Sequence, residues 1–240
     1  MNEERVVALP ADFVSVIDAP AIMIRSGQIE KLVKTWSEVE DRVVGLELLG
    51  VPEDASALAT LPLGMPLTWH LPVSAAPHVY THTWLLEHFD LAVLMDAGPG
   101  FFLAAKTVTS AGIPVIIGLV GSPDPSELIP FLDYYLHDRY LQAPTEFFQT
   151  MFASRVEGTS ISLAEIYCER PDRMLYVDDN GNVTTSSRLA RAGKFFGCVS
   201  SGVRIDEESD LYRFLQNPRK SLFLSGSSCT LCTNFDLCGG

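Results

Sequence analysis

No cysteine occurs before Cys168. The five that exist crowd into the remainder of the chain, an odd number in one stretch. That pattern excludes the evenly spread disulfide framework of a small secreted domain. Positive charge is scarce as well: 17 Lys and Arg face 30 Asp and Glu, for a formal net charge of −13. A nucleic-acid surface needs surplus cations to meet phosphate, and an anionic membrane surface needs the same. No apolar run reaches the roughly 18–20 residues that span a bilayer. The first residues, Met-Asn-Glu-Glu-Arg, lack the basic-then-apolar shape of a signal peptide. The expectation is a cytoplasmic protein with no nucleic-acid and no membrane partner. Missing too are Walker A, G-x-S-x-G and H-E-x-x-H, which removes the usual sequence marks of a nucleotide-phosphate loop, a serine hydrolase and a zinc protease. There is no low-complexity tract and no internal repeat.

What is present is alternation. The 240 residues, 47% hydrophobic and 20% charged, suffice for one large α/β domain, or for one domain and a small module. Short apolar or β-branched runs at Phe13–Ile17, Val43–Leu49, Pro66–Val73, Asp90–Met95 and Pro114–Val120 predict five strands. Helical patterns fall between them. Ser26 is expected to cap a helix to Glu40, with Ile29, Leu32, Val33 and Trp36 on its apolar stripe. Shorter helices are expected at 53–61 and 78–88. Gly98-Pro-Gly100 opens another to Ala111, and Ser122 or Asp124 caps a long one to about Leu141. A helix resumes over 144–154, and another is expected over 159–169. Strand and helix in turn imply right-handed βαβ crossovers and a parallel sheet.

The pattern then changes. Arg173–Asp178 alternates like a half-buried strand, Asp179-Asn-Gly-Asn182 is a hairpin turn, and Val183–Ser186 returns. An extended piece near 194–199 and a helix at Asp206–Leu215 follow. The expected fold class is α/β: a partial parallel (β/α) barrel or open parallel sheet, then a small cysteine module with a β-hairpin. The boundary falls within 155–170, giving a body of residues 1–160 and a module of 161–240.

The chemistry concentrates in Cys229-Thr-Leu-Cys232-Thr-Asn-Phe-Asp-Leu-Cys238-Gly239-Gly240. C-x2-C places two thiols on one turn, and a third a few residues on can close one face of a tetrahedral site. Three states suit these residues: a reduced or disulfide-linked turn, a zinc site, and an iron–sulfur site. Cys198, in Gly197-Cys-Val, is either the fourth ligand or a buried small hydrophobe. Cys168, with Ile161 and Ala164, reads as core. In the body, His78 and His82 stand one helical turn apart and read as solvated, although that spacing can bind metal. His70 ends a strand and either points into a pocket at the sheet's C-terminal edge or is a core or rim histidine. Asp96, Asp18 and Glu47 hold strand or strand-end positions and are acid–base or capping candidates. Gly98-Pro-Gly100 before a helix suggests an anion site, without the full dinucleotide fingerprint.

The hairpin of Leu175–Val183, the helix at Glu207–Asn217 and C-x2-C-x5-C-Gly-Gly together resemble a SPASM domain, the auxiliary-cluster module of radical SAM peptide-modifying enzymes. The resemblance covers about residues 173–240. It implies that Cys229, Cys232 and Cys238 hold an auxiliary 4Fe–4S cluster, with Cys198 a candidate fourth ligand. The family's run continues C-x3-C with a later cysteine, positions with no counterpart in this sequence. The family's cysteine after the hairpin is replaced by Thr184-Thr-Ser-Ser187, so a second cluster is expected to be lost. The body lacks the C-x3-C-x2-C of radical SAM catalysis; the loop after Phe13–Ile17 reads Asp18-Ala-Pro-Ala. Both features resemble the SPASM domain proteins of GeoRSP peptide-modification systems. That resemblance implies a non-catalytic accessory protein working with a radical SAM/SPASM enzyme, a PqqD-like peptide-binding protein and a substrate peptide. The alternative is a stand-alone α/β enzyme or small-molecule-binding protein, active near His70 and Asp96, with zinc or a disulfide fastening the tail. An aerobic preparation can hold no metal at all.

Overall fold

The structure is a computed structural model that describes residues 5–120, 123–138, 143–159, 161 and 163–232. The chain is α/β. Strand β1 (Val6–Pro10) comes first, followed by a 3-10 turn at Ala11–Phe13. Strands and helices then alternate: β2 (Ala21–Ser26), α1 (Ile29–Val39), β3 (Val43–Leu49), β4 (Pro66–His70), α2 (Trp84–His88), β5 (Asp90–Asp96), α3 (Phe101–Ser110), β6 (Val115–Gly118), α4 (Pro125–His137) and β7 (Thr145–Glu146). 3-10 segments at Ser56–Thr60 and Val73–Thr81 lie in the crossovers before β4 and before α2. Beyond them come α5 (Phe148–Glu157), α6 (Leu163–Ile166), β8 (Met174–Val177), β9 (Asn182–Thr184), α7 (Ser187–Arg191), β10 (Gly197–Val199), β11 (Val203–Ile205), α8 (Asp210–Gln216) and α9 (Pro218–Leu224). No helix among the described residues is long and apolar enough to cross a membrane.

Two compact units emerge. One comprises Pro10–Val14 and Ile22–Glu146; the other takes the described residues of Met1–Leu9, Ser15–Ala21 and Phe147–Gly240. The first contains β2 to β7, all parallel and in chain order. A doubly wound sheet reverses strand order at a switch point, and this one does not. With right-handed crossovers, strict chain order sends every connecting helix to the same face. Burial agrees. On the helix-covered face Ile22, Ile24, Leu46, Leu48, Leu67, Trp69, Leu91, Val93, Met95, Val115 and Ile117 are all buried. On the opposite face Met23, Thr68, His70, Ala92, Leu94, Asp96 and Ile116 are half-buried, while Arg25 and Glu47 are buried. Strand β5 shows the alternation directly, residue by residue.

The second unit holds β1 parallel to β8, then β8, β9, β10 and β11 in an antiparallel run. The expected hairpin is there: Tyr176 pairs with Thr184 and Val177 with Val183. The Asp178 carboxylate accepts from the Asn180 and Asn182 amides at 2.9 and 2.7 Å, and Gly181 takes φ 79°, the left-handed turn that Asn-Gly sequences favour. Gly197 admits no side chain, because a Cβ there would lie 2.3 Å from the Arg204 carbonyl oxygen on β11. Behind the hairpin, buried Glu169 accepts from the Ser186 hydroxyl at 2.7 Å and from the Arg188 guanidinium, with the Nε–Oε1 bond at 2.8 Å. The bonds to Glu169 raise the Arg188 pKa above its ordinary value, so this cation stays charged.

Several expectations shift. Phe13–Ile17 is not a strand: Ala11–Phe13 forms a 3-10 turn, with Val14 and Ile17 tucked in and Val16 exposed. Ser26 ends β2 instead of capping α1, and its hydroxyl closes a tight loop by accepting from the Gln28 amide at 2.9 Å. The 78–88 helix divides into the 3-10 segment and α2 around Pro77 and His82. Pro144 is followed by β7 before α5 begins. Of 159–169, only Leu163–Ile166 is helical among the described residues. Helix α8 is capped by Ser209, which accepts from Tyr212 N, and not by Asp206.

Candidate functional site

The C-terminal ends of the parallel strands carry most of the first unit's chemistry. Register fixes which side chains share a face, because period-2 alternation sets each side. Arg25 pairs with Glu47 across β2 and β3. Glu47 pairs with Thr68 on β4, and His70 lies two residues further along the same face. Leu94 pairs with His70, and Asp96 lies two residues beyond it; Asp96 in turn pairs with Gly118. Arg25, Glu47, Thr68, His70 and Asp96 therefore point from the half-buried face. The His70 imidazole and Glu47 carboxylate approach within 3.8 Å, Nε2 to Oε2. Both atoms are shielded from water and neither has a hydrogen-bond partner among the described residues. Glu47 is 8% exposed. At Gly118 a Cβ would come 2.4 Å from Asp96 Oδ1, so the bare glycine leaves room for that carboxylate to lean over β6.

Sequence reasoning singled out Glu47, His70 and Asp96 one at a time, and the structure joins the first two. It missed Arg25, because Ala21–Ser26 was not read as a strand. The signal was available: an arginine closing the apolar run Ala-Ile-Met-Ile, 5% exposed in the fold.

The expected anion site at the start of α3 is filled from within. Gly100, at φ 82°, opens the helix. The Glu127 carboxylate from the first turn of α4 accepts from Gly100 N at 2.9 Å and from Phe102 N at 2.8 Å. A side-chain carboxylate satisfies the same orphan amides and helix dipole that would otherwise hold a phosphate. Replacing Glu127 with Ala should lower stability by about 1–2 kcal/mol, the usual worth of a helix-end cap. The check is the urea midpoint, which should fall with an unchanged slope. Helix α4 itself starts as expected: Asp124 accepts from the Ser126 hydroxyl and amide, which hold its carboxyl below the ordinary value.

His78 and His82 are not one helical turn apart on an α-helix. They lie in and just after the 3-10 segment, where His82 Nδ1 sits 3.0 Å from the His78 carbonyl and the His82 ring meets Trp69 edge-on.

In the second unit, Cys229 lies in a 3-10 turn at Ser228–Leu231 and Cys232 closes it, its amide donating to the Cys229 carbonyl at 3.0 Å. Cys229 is half-buried, Cys232 exposed, and both are free thiols. Two thiols on one tight turn are a donor set that suits iron or zinc. Cys198 lies on β10 opposite Arg204 and Asn182, exposed instead of buried as a small hydrophobe. Cys238 lies outside the described residues. Cys168 is not core: it is exposed at φ 52°, just past the end of α6. No group of three His, Cys, Asp or Glu side chains among the described residues is placed to hold one metal ion. The same unit has an open pocket of about 530 Å³, walled by Val7, Ile17, Leu175 and Val203, with Arg5 and Asp18 as its charged groups.

No known protein family, curated protein or solved structure matches this chain. The functional reading therefore rests on the residues and their geometry.

Proposed function

We propose that the chain is a non-catalytic accessory protein of a radical SAM peptide-modification system. Its body is a partial (β/α) barrel without a catalytic cluster, and its SPASM-like tail docks to the enzyme or to the substrate peptide. One observation carries this reading: six parallel strands wound in chain order form a body in which no cysteine occurs, while all five cysteines fall at or beyond Cys168. Such a body keeps barrel-type winding and lacks thiolates to hold a reactive cluster. Cys229, Cys232 and Cys238 would hold an auxiliary 4Fe–4S cluster, with Cys198 or a partner's residue as fourth ligand. A bound cluster would supply one-electron relay. The acidic composition suits a basic partner or peptide.

Anaerobic purification followed by iron and sulfide assay tests the cluster. The expected result is about four of each per chain, lost when Cys229, Cys232 and Cys238 are changed to Ser. A colourless protein without iron after reconstitution removes the relay. If leaving the protein out of the radical SAM reaction also changes nothing, the accessory role falls with it. Zinc in place of iron would make the tail a structural staple.

The Glu47–His70 pair favours a second reading, a small-molecule-binding α/β body. Two shielded polar atoms 3.8 Å apart without a hydrogen bond are costly to bury.

A further inference from the structure

We infer that the pocket of the second unit binds a carboxylate with an aliphatic body, its charge held by Arg5. The inference stands apart from the cysteine cluster and from the Glu47–His70 pair, and every lining residue belongs to that one unit. Register builds the cavity. Val7 on β1 pairs with Leu175 on β8, so both side chains take one side of the sheet. Arg5 stands two residues before Val7 and lines the same pocket. Strand β11 adds Val203 and Ile205, and the loop at 16–20 adds Val16 and Ile17. Val7, Ile17 and Leu175 are buried and form the apolar floor. Val203 and Ile205 are half-buried and Val16 is exposed, so the rim offers apolar surface that water now covers. The space amounts to about 530 Å³, within the range of small-ligand sites.

Arg5 sets the sign of the ligand. It is half-buried, and its guanidinium has no hydrogen bond or ion pair among the described residues. A cation drawn from water beside apolar walls, with no anion to meet it, favours an anionic guest. The other charged wall group, Asp18, is exposed and has a partner of its own. The Ser201 hydroxyl adds a second donor. One cation against apolar walls suits a single negative charge on an apolar body. A phosphate brings more charge and no apolar surface, and an ammonium or a metal ion would meet Arg5 head-on. A carboxylate matches the guanidinium fork in two parallel hydrogen bonds. Its source is either a free aliphatic acid or the C-terminus of a peptide ending in leucine, isoleucine or valine. The edge of β11 suits the peptide. Asp206 N donates to Phe196 O and Ser200 N to Gly202 O, so the main chain of Gly202, Arg204 and Asp206 faces β10. The main-chain groups of Val203 and Ile205 face the other way, along the terminal edge of the sheet. An extended peptide can pair there while its last side chain enters the pocket.

The test is an NMR titration of the full chain, followed at the Gly202, Val203 and Ile205 amides and at the Arg5 Nε–H. Hexanoate is expected to shift them saturably at millimolar concentration, about tenfold more tightly than 1-hexanol, hexylammonium or inorganic phosphate. From butanoate to hexanoate each added methylene should tighten binding about three- to fourfold, because each buries one more apolar group. Arg5→Gln should weaken hexanoate about tenfold and leave 1-hexanol unchanged. Its urea midpoint should hold, because no protein group depends on the guanidinium; a lower midpoint overturns the inference by making Arg5 a structural residue. Acetyl-Ala-Ala-Leu and its C-terminal amide identify the source. The free peptide binding more tightly than hexanoate, with the amide weaker, assigns a peptide terminus; hexanoate binding more tightly assigns a free acid. Hexylammonium or 1-hexanol binding as tightly as hexanoate overturns the carboxylate, and phosphate doing so overturns the aliphatic body. No saturable shift, or undiminished hexanoate binding by Arg5→Gln, overturns the inference outright, whatever the iron assay of the cysteine tail returns.

Discussion

Arg188→Met should destabilise the hairpin-bearing unit by about 2–4 kcal/mol. The substitution keeps most of the aliphatic bulk and deletes the guanidinium. It leaves the Glu169 carboxylate, 1% exposed, held by the Ser186 hydroxyl but without its cation. An orphaned buried charge is among the costliest point changes, while water reaching the partly exposed Arg188 position tempers the loss. The double variant Glu169→Leu with Arg188→Met should recover much of the stability, because removing both charges removes the desolvation problem. Urea denaturation of the two single variants and the double gives the coupling directly. Additive losses would show that Glu169 and Arg188 do not act as a pair.

Trp69→Ala is expected to cost about 3–5 kcal/mol in the other unit. Trp69 is fully buried on the helix-covered face of β4, and its indole donates to the Gly50 carbonyl at 2.6 Å. Truncation opens a cavity and strips that carbonyl of its donor. Trp69→Phe keeps the ring and loses only the bond, so about 1–2 kcal/mol is expected. Hydrogen exchange locates both effects: protection should fall within 22–146 for Trp69→Ala. Because Trp69 and His70 point to opposite faces, Trp69→Phe should leave the Glu47–His70 pair intact.

Much of the body was legible because parallel strands with one buried and one half-buried face read as nearly continuous apolar runs. Val43–Leu49, Asp90–Asp96 and the 115–118 strand stand close to where the pattern puts them. The hairpin was legible for a different reason, since Asn180-Gly181 specifies positive φ locally. What failed was information the sequence carries only through tertiary pairing. Phe13–Ile17 has β-branched residues yet finds no strand partner, whereas Val6–Pro10 pairs with β8. Ser26 has helix-capping chemistry that a strand end uses equally well. At the candidate site, Glu47 and His70 are 23 positions apart and meet only through β3–β4 register. No spacing rule names such a pair. Glu127 is similar: its carboxylate caps a helix that begins 26 residues earlier.

The pairing of Val6, Val7 and Ala8 with Met174, Leu175 and Tyr176 has a consequence for biosynthesis. At ribosomal speeds of about 5–20 residues per second, β1 waits roughly 8–34 s for its neighbour to be made. The edge of β1 that β8 covers stays open to wrong partners throughout that delay, while Ile22–Glu146 is already complete enough to fold. The unit formed from the two ends of the chain is thus the late-maturing one. Chaperone dependence and translation rate should act on it first, and on its cysteine turn with it.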